Sequence, residues 1–194
     1  MNGCFKLLLI LAVAFALWTY WLKPEQGSGS LELYSPTENV QQVEGYTITS
    51  LEPYAGEFRV LARENYRMGR EAELSPVDFA LGWNEMAKPE VYKQLSITQS
   101  NRWYYWKVKN EPPISLREIA THSANMHLVP ANPSVASQMK KIKKDDLVYL
   151  KGDLVEIKDK DLVWKSSLTP TDTGDGACEL FRVQSIHWVE KQNI

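Results

Sequence analysis

The chain has 194 residues, 44% of them hydrophobic and 24% charged, with a formal net charge of −2. Such a composition excludes wholesale disorder, and the slight acidic balance argues against nucleic acid as a main partner, which calls for a clear basic excess. Of the two cysteines, Cys4 lies at the start of an apolar segment and Cys178 deep in the rest of the chain; if that segment spans a membrane the two cannot pair within the chain, so stability is expected from packing and not from a disulfide framework.

The first element is an apolar run from Leu7 to Leu22, interrupted only by Thr19 and bounded by Lys6 and Lys23. As a helix it is about 24 Å long, slightly short of a bilayer core, and the flanking lysines can snorkel. Trp18, Tyr20 and Trp21 gather at one end, where amphipathic rings favour the lipid–water boundary. Residues 1–23 are therefore expected to be a transmembrane anchor. A cleaved signal peptide is the competing reading, but the small-residue pairs Ala12/Ala14 and Ala14/Ala16 fall inside the apolar run. Lys6 and the N-terminal amine favour an inside N-terminus, and no second span follows. The expected location is the bacterial inner membrane, single-pass, with the C-terminal domain in the periplasm. A linker, 24–30, contains Gly27-Ser28-Gly29-Ser30, and a soluble domain occupies 31–194.

Alternation predicts strands over Tyr46–Leu51 and Glu57–Arg63, joined as a hairpin through Tyr54-Ala55-Gly56. Ser75, Pro76 and Asp78 read as a helix start, with Val77, Phe79, Ala80, Leu81 and Trp83 as its apolar face. Pro89 opens a second short helix through Leu95. Arg102–Val108 reads as a strand with Trp103 and Tyr105 on one face and Tyr104 and Trp106 on the other. Ser115-Leu116-Arg117-Glu118 is a capping box, starting a helix to about Thr121. Asn132-Pro133 opens a helix carrying Val135 and Met139, and the cluster Lys140, Lys141, Lys143, Lys144 reads as its solvated end. Leu147–Ile157, Leu162–Leu168 and Glu179–Val189 complete the predicted strands, with Gly152 in the middle of the first. The fold class expected is α+β: a transmembrane helix, then a strand-rich domain with several short helices and a small barrel of the OB or SH3 kind.

Leu74–Trp83, Ser123–Ala131 and Asp172–Glu179 are three stretches that resemble a group of uncharacterised bacterial membrane-anchored envelope proteins. The resemblance implies an envelope location and brings no activity or cofactor. Ser123-Ala124-Asn125-Met126 with Asp146–Leu150 is also similar to the nucleophile box and following strand of type I signal peptidases, which would make Lys151 or Lys165 a general base. Here the serine does not directly precede the methionine, and the gap from Pro130 to Asp146 is too long for that family.

Asp172-Thr173-Gly174 occurs once, whereas aspartic-protease chemistry needs two carboxylates sharing a proton. His122 and His127 are five apart, about 140° around a helix and opposite in a strand, so they make no ready metal pair. The expectation is a non-catalytic binding or accessory module, with no cofactor, metal or catalytic set. Its candidate ligand-binding residues are Trp103, Tyr105, His122, Asn125, His127, Asp172, Asp175 and Glu179, and its partner another envelope protein or a small ligand. A membrane-tethered Ser–Lys hydrolase is the alternative.

Overall fold

The computed structural model describes residues 31–32, 40–168 and 178–191. The apolar run 7–22, the linker 24–30, Asp172 and Asp175 lie outside the described residues. Among those described, no helix is long and apolar enough to cross a membrane.

The domain is strand-rich α+β. The strands are β1 (Leu31–Glu32), β2 (Val40–Val43), β3 (Tyr46–Asn65), β4 (Val77–Gly82), β5 (Leu95–Ser100), β6 (Trp103–Val108), β7 (Ser123–Pro130), β8 (Leu147–Lys158), β9 (Val163–Lys165) and β10 (Glu179–Glu190). The helices are short: α1 (Arg70–Leu74), α2 (Pro89–Tyr92), α3 (Leu116–Thr121) and α4 (Pro133–Met139), with a 3-10 turn at Asn84–Ala87. Two sequence signals hold in detail. Ser115 and Glu118 form a reciprocal capping box at α3, and the Asn132 side chain accepts the Val135 N–H at the start of α4.

Five strands carry the architecture through their pairings. β3 lies antiparallel to β8 along Thr47–Arg59 and to β4 along Arg59–Asn65. β4 is antiparallel to β7, β7 parallel to β10, and β10 antiparallel to β8. The pairings thus return to β3. β5 and β6 form a separate hairpin inserted between β4 and β7.

Two expectations are corrected. Tyr54-Ala55-Gly56 is not a turn. It is the middle of one 20-residue strand, with Tyr54 opposite Gly152 and Ala55 opposite Lys151, and both Tyr54 and Ala55 are buried. The continuous partner β8 satisfies the backbone that a hairpin would have turned back on itself. The helix expected after Ser75 is strand β4. All six of its residues are buried, and a strand covered on both faces reads as a near-continuous apolar run with no period to mark it. Pro76 lies just ahead of it, where the missing N–H breaks no ladder bond.

Alternation sends Val77, Phe79 and Leu81 of β4, and Ala124, Met126 and Leu128 of β7, into the main core with Phe58, Val60 and Phe181. Val135 and Met139 of α4, with Ile142, join the same cluster. A second core lies on the other side of β3 and β4. There Leu61 and Ala80 meet Met86, Tyr92 and Ile119 of the inserted segment, and Tyr104 and Trp106 of the hairpin pack against them. Gly152 is required by close approach: a Cβ there would lie 2.0 Å from the Arg182 carbonyl oxygen on β10.

Candidate functional site

The residues on β4 and β7 that point away from the main core include three polar ones. Asp78 stands directly opposite His127, and Ala80 opposite Asn125. Asp78 is fully buried, and Asn125 and His127 are nearly so. A carboxylate in such a place is tolerated only if it is paired and hydrogen-bonded. The partner comes from the β5–β6 hairpin. Its two-residue turn is Asn101-Arg102, with φ of 52° and 68°. Positive φ at both central residues is the type I′ geometry that matches the twist of a tight hairpin.

Arg102 Nη1 donates to Asp78 Oδ1 at 2.7 Å and to Ser75 Oγ at 3.3 Å, and Nη2 donates to the Ser75 carbonyl at 3.0 Å. The guanidinium stacks 3.8 Å from the Tyr66 ring centre and lies 5.5 Å from that of Trp164. The backbone is held as firmly. The Arg102 N–H donates to Tyr66 Oη at 2.9 Å, and its carbonyl accepts Asn125 Nδ2 at 2.9 Å. Gln99 Nε2 donates to Asn125 Oδ1 at 2.6 Å. On the second oxygen of Asp78, His127 Nδ1 is 2.8 Å away, close enough for an ion pair but off line for a hydrogen bond. The Trp164 ring, 5.2 Å from the imidazole, packs beside it. Burial first, and then the Asp78 charge, pushes the Tyr66 phenol up to about 12.

Asn125 and His127 thus share one cluster, with Cys178 Sγ at its edge, 3.8 Å from the Arg102 carbonyl. Glu179 is also buried, but it is paired with Met126, so it faces the other side of the sheet from His127. Its charge, after burial itself, pushes the Tyr54 phenol upward. His122 caps the end of α3, outside the Asp78 contacts, and its carbonyl accepts the Trp83 N–H at 3.0 Å. Tyr104 and Trp106 turn into the second core, leaving Trp103 half-buried and Tyr105 50% exposed on the outward face of the hairpin.

Ser123 is buried. Its hydroxyl lies 2.6 Å from the Ile119 carbonyl and 2.9 Å from Tyr104 Oη, and no lysine is among its partners. Lys151 stands on β8 opposite Ala55 and Ser185, and Lys165 on β9 opposite Glu156. Among the described residues no group of three His, Cys, Asp or Glu side chains is arranged to hold a metal ion.

Sequence reasoning missed the two residues on which the cluster turns. Asp78 was readable as one carboxylate inside the apolar run Val77–Leu81 once that run is taken as a strand. Arg102 was readable as half of Asn101-Arg102, a two-residue turn between alternating stretches. Chemically, the cluster binds its own hairpin: the guanidinium occupies the position a cationic ligand would take. No family model, no curated protein and no solved structure matches this chain.

Proposed function

We propose that this chain is a membrane-anchored, non-catalytic binding or accessory protein of the bacterial envelope, with its β-rich domain in the periplasm. The observation that carries the non-catalytic part is the closure of the Asp78–Asn125–His127 cluster by Arg102. Among the described residues this set of acid, base and amide groups is turned inward, and its donors go to the protein's own carbonyls and carboxylate. The apolar run 7–22 and the resemblance to envelope proteins support the location.

The five-strand cycle is, in this reading, a small Greek-key barrel of the OB kind. Its support is the spatial order β3-β4-β7-β10-β8 returning to β3, with one parallel pair. The inserted segment covers the outer side of β3 and β4, so partner binding falls to the outward face of the hairpin. There Tyr105 offers an exposed ring beside Trp103 for stacking on an apolar or planar partner.

Fractionation tests the location. The full-length protein stays with the membrane after an alkaline wash, and its domain is digested by protease added to spheroplasts but not by protease added to inverted vesicles. Recovery of the untrimmed chain in the soluble cytosolic fraction refutes the anchor. Function is tested by comparing Tyr105→Ala with Ser123→Ala at equal protein abundance. An envelope defect from the first alone supports binding, and one from the second alone returns the hydrolase.

A further inference from the structure

A second feature lies where the end of β3 and the start of β4 meet α4, and it shares Tyr66 with the Arg102 cluster. A cleft of about 570 Å³ opens there. That is within the range that accepts a ligand of small-molecule size. Its floor is apolar and contains Val77, Ala136 and Met139, and its rim is cationic, with Arg63, Arg67 and Lys140. Among the described residues, no acidic side chain lines it.

The three cations differ in what they already hold. Arg63 donates Nη1 to the Ile142 carbonyl and Nη2 to Asn65 Oδ1 at 2.7 Å. Its Nε is buried and has no partner among the described residues. The side chains of Arg67 and Lys140 are exposed and likewise without a hydrogen bond or ion pair among the described residues. Three positive charges line one opening, and among the described residues no acidic side chain there neutralises them, an arrangement that repels itself until an anion arrives. Arginine fits the oxygens of phosphate and carboxylate through paired N–H donors. An inorganic anion would satisfy the rim but leave the apolar floor wet.

We infer that this cleft is a binding site for an anionic amphiphile. A phosphate or carboxylate head is held by the exposed Arg67 and Lys140 side chains, beside the Arg63 guanidinium, and an aliphatic portion lies on Val77, Ala136 and Met139. The inference stands apart from the anchor and from the hairpin face, since it uses neither the N-terminal segment nor Trp103 and Tyr105. The amphiphile reaches the cleft either as a free molecule or as a bilayer lipid, and the same head-and-tail chemistry serves both.

The test uses the full-length protein in a neutral detergent, titrated with decyl phosphate and, separately, with inorganic phosphate. Wild type binds decyl phosphate saturably, one per chain, and much more tightly than inorganic phosphate. Arg67→Glu/Lys140→Glu weakens decyl phosphate by about tenfold or more, because two attractive charges become repulsive. Its melting temperature stays near that of wild type, since among the described residues neither side chain has a partner to lose. Ala136→Glu, which keeps a good helix former in α4 but puts a carboxylate on the floor, weakens binding independently. Equal affinity for decyl and inorganic phosphate overturns the proposal. So does unchanged binding in both variants, or no saturable binding by the folded wild type. Hydrogen exchange over residues 65–77 and 136–142 then identifies the source. Added protection in phosphatidylcholine bilayers containing phosphatidylglycerol, relative to phosphatidylcholine alone, supports a bilayer lipid. Protection by decyl phosphate only supports a free amphiphile.

Discussion

Replacing Arg102 with glycine sets two effects of opposite sign against each other, and the structure says which wins. Arg102 occupies the second central position of a type I′ turn at φ 68°, a conformation in which glycine is the favoured residue. Considered as a turn alone, the chain holds a non-glycine residue in the left-handed region at a cost of about 1 kcal/mol or more, and glycine removes it. Considered as a site, the substitution strands Asp78, which is fully buried and loses a 2.7 Å charged hydrogen bond. Breaking one side of a buried ion pair costs about 3–5 kcal/mol. The lost stacking on Tyr66, at 3.8 Å, adds about 1 kcal/mol. The net expectation is a loss of about 3–5 kcal/mol, measured as a shift in the urea midpoint at unchanged slope. A second variant isolates the cause. Asp78→Asn in the Arg102→Gly background removes the stranded charge, so the double variant is less destabilised than the sum of the two single changes. Equal or greater stability of Arg102→Gly than wild type, or strict additivity of the two changes, refutes the claim that the guanidinium holds the hairpin down through Asp78.

Gly152→Ala brings a methyl group to 2.0 Å from the Arg182 carbonyl and 2.9 Å from the Phe181 ring. Because the nearer obstacle is backbone, the cost is expected at or above the overpacking range of about 1–3 kcal/mol, and a melting temperature within a degree of wild type contradicts it. Ser115→Ala removes the α3 cap and costs about 1 kcal/mol in chemical denaturation. The Ser115 hydroxyl and backbone N–H hold Glu118 below the usual carboxylate range. That contribution is present above the unfolded pKa and lost as pH falls through the folded one, so the gap between wild type and Ser115→Ala narrows in acid. Burial raises the phenols of Tyr54, Tyr66, Tyr92 and Tyr104. Their contribution to stability is complete below the unfolded value of about 10 and is lost as pH climbs toward the folded values. Phenolate absorbance from these four is therefore expected to appear together with loss of the fold, and four free titrations near pH 10 in a protein still folded by circular dichroism refute it.

How far the sequence discloses this molecule depends on whether a residue's environment is written in its neighbours. The α3 cap is local, requiring only Ser115 and Glu118, and it is legible without knowledge of anything else in the chain. The same holds for Asn132 at α4 and for the alternation that turns Tyr104 and Trp106 inward. By contrast, β4 becomes a strand because β3 and β7 flank it and core lies on both sides, none of which is recorded in Val77–Gly82. Its local signals, Ser75 before Pro76 with Asp78 beyond, point to a helix start, and tertiary pairing overrides them. Tyr54–Gly56 fails for the same reason: the local glycine signal favours a turn, and twelve residue pairs with β8 hold it straight.

The chemistry of the buried cluster depends on that override. With β4 read as a helix, Asp78 is a cap partner at its start, and Asn125 and His127 stand as candidate ligand-binding residues with no tie to it. With β4 read as a strand, Asp78 is a charge sealed between two layers, and the sequence must contain its cation. The two-residue turn then narrows the search. Hairpins of this length favour Asn-Gly, and the chain has Asn101-Arg102 instead, keeping a strained arginine where glycine would be at ease. A residue retained against its local preference is one whose side chain has work elsewhere, and in this fold the guanidinium reaches Asp78. The departure from ideal turn chemistry and the lone carboxylate in an apolar run are therefore two halves of one signal. Either half alone reads as noise, and together they place the hairpin on the sheet.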